Sequence, residues 1–80
     1  MNLKNKSFLE LGCGSGIISL LASKRGAKVT ASDINQTALD YLATNASKNE
    51  LAVKTVFSDL FQNLENQTFD YIVVNPPYNP

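Results

Sequence analysis

A short apolar run, Ser7–Leu11, ends abruptly against a glycine-rich segment, Gly12–Gly16. Ile17, Ile18, Leu21 and Ala22 then recur at helical spacing up to Arg25 and Gly26. A brief stretch that is apolar at nearly every position reads as a strand covered on both faces. Glycines let the backbone reverse tightly behind it, and Gly26 is a good helix stop. Strand, tight turn and helix are the first half of a crossover unit, which commits the chain to a parallel sheet. The pattern then repeats. Val29–Ser32 reads as a second strand. Ala38, Leu39, Leu42, Ala43 and Ala46 mark a second amphipathic helix, with Asp33 or Asn35 as its N-cap. Val53–Ser58 reads as a third strand, Phe61–Gln67 as loop or a single helical turn, and Tyr71–Val74 as a fourth strand running straight into Asn75, Pro76, Pro77 and Tyr78. The order βαβαββ specifies an α/β fold with a mostly parallel sheet.

The 80 residues allow a single small domain. Seven Lys and Arg balance seven Asp and Glu, which argues against nucleic-acid binding by bulk charge. The absence of His excludes His-based triads, bases and metal sites, and a single Cys excludes an internal disulfide or a multi-Cys zinc site. No apolar run approaches the ~20 residues of a membrane span, and the start lacks a signal-peptide core, so the expected location is cytoplasmic. The fourth strand is apolar throughout, as an interior strand is, yet the sequence ends six residues after it. An apolar edge invites association. The expectation is therefore a partial domain, the N-terminal part of a larger one, or a partner or second copy covering this edge.

Four marked spots each come just after a strand, where open parallel sheets bind ligands. The first is Gly12–Gly16. Its spacing is G-x-G-x-G with Ile17 next, neither a dinucleotide fingerprint nor a P-loop. The second is Asp33, 19 residues after Gly14, placed to accept hydrogen bonds from both hydroxyls of a ribose or to cap the second helix. The third is Asp59, placed to accept from an exocyclic amine, with Ile34 and Leu60 against the ring faces, or to serve as a turn residue. The fourth is Asn75–Tyr78. Two prolines remove two N–H donors and fix the carbonyl directions. Asn75 adds an acceptor and Tyr78 a flat face, so the group suits a planar NH2-bearing moiety. Glu10 is a charge inside an apolar strand; it either serves the site or reaches water at the strand end.

Taken together, ELGCGSG (Glu10–Gly16), SDIN (Ser32–Asn35), SDLF (Ser58–Phe61) and NPPY (Asn75–Tyr78) resemble the motifs of class I S-adenosylmethionine-dependent methyltransferases. The likeness is greatest to the HemK-type enzymes, which modify a glutamine amide in peptide release factors. The resemblance implies a Rossmann-like, doubly wound sheet with four strands in the order 3-2-1-4. It implies that Gly12, Gly14 and Gly16 approach the methionine portion of S-adenosyl-L-methionine and that Glu10 helps hold it. By the same likeness, Asp33 binds the ribose, Asp59 faces the adenine amine, Asn75 and the Pro76 carbonyl bind the target NH2, and Tyr78 stacks on it. Adenine and guanine methyltransferases share the NPPY-like motif, so the partner is a protein substrate such as a release factor, or a nucleic acid. A cofactor-binding module without activity of its own is the remaining alternative; an NAD-binding fragment would leave NPPY unexplained.

Overall fold

A computed structural model of the chain describes residues 2–59, 64 and 67–75. The elements are β1 (Ser7–Leu11), α1 (Ile17–Lys24), β2 (Lys28–Asp33), α2 (Gln36–Lys48), β3 (Val53–Phe57) and β4 (Tyr71–Val74). All neighbouring strands pair in parallel, in the order β3-β2-β1-β4. The strands match the expected segments to within one residue at each end. The loop or turn expected over Phe61–Gln67 falls largely outside the described residues.

Side chains alternate between the sheet faces. Phe8, Val29 and Ala31 pack with Ala22 of α1 and with Leu39 and Leu42 of α2, so both helices cover one face. Leu9 and Leu11 pack with Leu64, Val56 and Phe69 on the other. The start of β1 is clamped to the start of β4. The Asp70 carboxylate accepts from the Ser7 backbone N–H at 2.8 Å and the Ser7 hydroxyl at 3.2 Å, while the Asp70 N–H donates to that hydroxyl at 2.8 Å. These bonds hold the Asp70 carboxyl below its usual range, the backbone N–H contributing most. Asn35 is the N-cap of α2, its side chain accepting from the Ala38 N–H at 3.2 Å.

Of the residues that mark α1, Ala22 is buried, whereas Ile17, Ile18 and Leu21 are 60, 40 and 53% exposed. The inward residues of α1 are Ser19 and Ala22, with Leu20 half-buried against the core. Small side chains let the helix lie close to the strands, and the buried Glu10 beneath it calls for a hydrogen-bond donor on that face. In β4, Val73 is half-buried while Tyr71, Ile72 and Val74 are exposed. No helix among the described residues is long and apolar enough to cross a membrane.

Gly16, the N-cap of α1, has φ +81, and a Cβ there would stand 2.5 Å from Cδ1 of the buried Leu42. Gly16→Ala is expected to cost about 1–3 kcal/mol of stability by denaturant unfolding, from backbone strain and overpacking together. Adding Leu42→Ala should recover only the overpacking part, giving a non-additive double-mutant cycle.

Candidate functional site

The glycine turn and the ends of β2 and β4 meet at one edge of the sheet. β1 lies between β2 and β4, so the residues just beyond these three strands are brought together. Gly12 and Gly14 have positive φ, +76 and +53. A Cβ on Gly12 would lie 2.6 Å from the Asn75 carbonyl oxygen, so only glycine lets the turn pass the end of β4. Asn75 extends the ladder, donating its N–H to the Leu11 carbonyl at 2.9 Å. Its side-chain Nδ2 lies 3.7 Å from where a Gly14 Cβ would be, which sets the amide directly beside the turn.

Asp33 braces the turn from the other side. Oδ2 accepts from the Gly14 N–H at 3.2 Å and, weakly, from the Cys13 thiol at 3.8 Å. Oδ1 accepts from the Asn35 N–H at 2.9 Å. A carboxylate offers about four acceptor positions, so capacity for ligand hydroxyls remains. Of the two roles open to Asp33, capping α2 falls to Asn35 instead. Asp59 lies just past the end of β3 and is exposed, as is Ile34, at 63%. Gly16 is buried, and a Cβ there would meet Leu42 of α2. Leu60, Pro76 and Tyr78 lie outside the described residues.

Glu10 does not reach water. It is 1% exposed, between Ala31 of β2 and Val73 of β4. Oε1 accepts from the Ser19 hydroxyl at 2.6 Å, and Oε2 is buried without a hydrogen-bond partner among the described residues. Burial pushes its pKa up, against the pull of Ser19. Cys13 is also buried; burial, aided by the charges of Asp33 and Glu10, raises its thiol to about 12, so it is a packing residue and not a nucleophile. Ser19 was missed in the sequence. Its only signal was a polar residue interrupting an apolar helix nine positions after a strand glutamate. Among the described residues no cluster of His, Cys, Asp or Glu is arranged for a metal ion.

Charge is segregated along the strands. All seven cations lie toward the opposite end: Lys4 and Lys6 before β1, Lys24 and Arg25 at the end of α1, Lys28 and Lys54 at the starts of β2 and β3, Lys48 at the end of α2. Glu10, Asp33 and Asp59 stand at the site end, while Asp70 before β4 and Glu50 after α2 lie with the cations. The field therefore favours a cationic ligand at the site.

Comparison with known proteins agrees with this geometry. The whole chain, residues 1–80, matches the methyltransferase small domain family. The chain belongs to that family. It is 42% identical to a candidate protein N5-glutamine methyltransferase of Methanocaldococcus jannaschii, over all of this chain and 41% of that protein. It is 43% identical to the ribosomal protein uL3 glutamine methyltransferase of Francisella tularensis, over 90% of this chain and 24% of that one. Among solved structures, the T. thermophilus 16S rRNA N2 methyltransferase in complex with S-adenosylmethionine and guanosine superposes with a TM-score of 0.91 at 29% identity, covering 96% of this chain and 21% of its own. The chain thus spans less than half the length of these relatives. The Rossmann-like class I fold and the strand order 3-2-1-4 are borne out.

The Glu10 carboxyl gives a stability prediction. Its folded pKa is raised, so the folded state favours the protonated form. The stability it contributes is complete below the unfolded value, 4.5, and is lost as pH rises through the higher folded value. Wild-type stability should therefore decline with rising pH above about 4.5, and Glu10→Gln should flatten that decline in denaturant melts across pH. An unchanged slope in the variant would remove Glu10 as the cause.

Proposed function

We propose that this chain is the cofactor-binding and amine-orienting part of an S-adenosylmethionine-dependent N-methyltransferase acting on a protein glutamine amide. The observation that supports this best is the convergence of Gly14, Asp33 and Asn75: the Gly14 N–H lies 3.2 Å from Asp33 Oδ2, and Asn75 Nδ2 lies beside the same glycine. A nucleoside-holding carboxylate and an amide-binding side chain thus share one turn. The residues fit the cofactor. The turn leaves side-chain-free backbone at Gly12 and Gly14, Asp33 has acceptor capacity for ribose hydroxyls, and the buried Glu10 Oε2 lacks a partner that an ammonium group would supply. Asp59 and Ile34, with Leu60, take the adenine in this reading, and Gly16 sets the turn against α2.

When bound, S-adenosylmethionine supplies a methyl group on a sulfonium, which is already an excellent leaving group. The chain's task is then orientation and exclusion of water. An amide nitrogen is a poor nucleophile because its lone pair is delocalised. The Asn75 side-chain carbonyl and the Pro76 carbonyl accept from the target NH2, and Tyr78 stacks on its plane. These acceptors favour the rehybridised nitrogen, whose N–H groups are more acidic as transfer proceeds. No strong general base is required, which suits a chain without His.

A second reading, methyl transfer to a nucleic-acid amine, is favoured by the 0.91 TM-score to an rRNA methyltransferase bound to guanosine. The acceptor test is direct: the complete protein is offered a glutamine-containing peptide and, separately, an RNA or DNA oligonucleotide with labelled methyl donor.

In the chain itself, titration with S-adenosylhomocysteine should shift amide resonances around Gly14, Asp33 and Asp59. Asp33→Ala should weaken that binding at least about tenfold, the loss of one or two charge-assisted hydrogen bonds. In the complete enzyme, Asn75→Ala should lower transfer by about a hundredfold or more while S-adenosylhomocysteine affinity stays within a few-fold. Normal turnover by that variant would sink the assignment of Asn75.

A further inference from the structure

The buried Glu10–Ser19 pair has a geometry that the site roles above do not account for. Serine is a weaker helix former than alanine. Yet α1 turns Ser19 inward to complete burial and leaves Ile17, Ile18 and Leu21 exposed. Beside the apolar Ala22, the helix therefore presents a hydroxyl to the strand beneath it. That hydroxyl donates to Glu10 Oε1 at 2.6 Å, a short hydrogen bond, while Oε2 has no partner among the described residues. A buried carboxylate held by one oxygen with the other unsatisfied is costly unless something completes it.

We propose that Ser19 is a positioning residue: it holds Glu10 by Oε1, so that Oε2 is the acceptor for the ammonium group of the bound cofactor, and Glu10 releases a proton when that cation binds. This rests on the reading of the site as an S-adenosylmethionine site. The proton balance is simple. Without ligand, burial keeps Glu10 protonated over a wider pH range. On binding, the carboxylic acid proton passes to solvent, and the carboxylate pairs with an ammonium group that keeps its own protons. Among the described residues, the groups facing Glu10 do not supply the missing charge. Asp33 at the end of β2 opposes its ionisation, Cys13 in the turn is a neutral thiol, and the paired positions on β2 and β4 are Ala31 and Val73. The cations of α1, Lys24 and Arg25, stand at its far end. The ligand is thus the natural source of positive charge.

The test uses the full chain with 13C-labelled glutamate carboxyls, Glu10 being assigned by its loss in Glu10→Gln. Two probes are compared. S-adenosylhomocysteine carries the ammonium group; 5′-methylthioadenosine has the same nucleoside and sulfur but no ammonium. In the wild type, the first should pull the Glu10 titration midpoint down and the second should not. Calorimetry in two buffers of different ionisation enthalpy should register proton release with the first ligand only. Ser19→Ala should raise the Glu10 midpoint further without ligand. It should weaken S-adenosylhomocysteine about tenfold at neutral pH, with 5′-methylthioadenosine held within about twofold, and the gap should shrink as pH rises. An unchanged midpoint in Ser19→Ala, or equal losses for both probes, would overturn the positioning role while leaving the site reading intact. Failure of the wild type to bind either probe would overturn the site reading and the proposal with it. An amide fingerprint of Ser19→Ala like that of the wild type shows that the fold is kept, which the better helix propensity of alanine favours.

Discussion

The turn at Gly12–Gly16 has no room for a side chain on either flank, and the rest of the site depends on that. On one side a Cβ at Gly12 would run into the Asn75 carbonyl, 2.6 Å away; on the other a Cβ at Gly16 would run into Leu42. The turn is thus wedged between the end of β4 and the face of α2. Positive φ at Gly12, Gly14 and Gly16 carries the chain through that gap. Because the gap is narrow, residues far apart in sequence meet there: Asp33 reaches the Gly14 N–H from β2, and Asn75 reaches the Leu11 carbonyl and the turn from β4. Packing and ligand geometry are the same constraint seen from two sides.

The electrostatics build on this arrangement. β1 and β2 carry Glu10 and Asp33 toward the turn, while all seven cations, with Asp70 and Glu50 among them, lie toward the other end. Lysines and Arg25 at the helix ends sit where the helix dipoles favour positive charge, so the segregation is stabilising in its own right. It also leaves the site end short of cations. A net charge of zero therefore hides a molecule with two unlike ends. For a ligand bearing both a sulfonium and an ammonium, the field and the local acceptors Glu10 and Asp33 act in the same direction.

Much of this was legible in the sequence because the signals were local. Period switches placed every strand, and the glycine run, Asp33 and Asn75 each announced themselves at a strand end. Position along a strand was enough to bring them together once the order was 3-2-1-4. What escaped was set by contacts between elements. Periodicity located α1 and the buried Ala22, but not the inward Ser19, because its partner is the buried Glu10. The burial of Glu10 itself depends on β4 lying beside β1, a pairing of residues more than 60 positions apart. Gly16 carried the same motif signal as its neighbours, yet its need for glycine comes from Leu42 on α2. No local pattern contains those facts.

The division between this core and its surroundings bears on acceptor choice. In the function proposed above, Asn75 recognises an NH2 on a planar group, a feature common to a glutamine side chain and a purine. A candidate glutamine methyltransferase and an rRNA methyltransferase bound to guanosine both align over nearly all of these residues, yet they devote only 41 and 21% of their own lengths to them. In the proposed reading, the shared segment holds what the two have in common, a site for the cofactor and a seat for an amine. Their difference in substrate must therefore be carried by the parts they do not share, or by side chains around the seat. The apolar surface that α1 and β4 leave exposed, Ile17, Ile18, Leu21, Ile72 and Val74, is where such parts would gain most by packing. On that reading, substrate choice can change without disturbing the wedge at Gly12–Gly16, because the contacts that fix Gly12, Asp33 and Asn75 are made within the sheet and its turn.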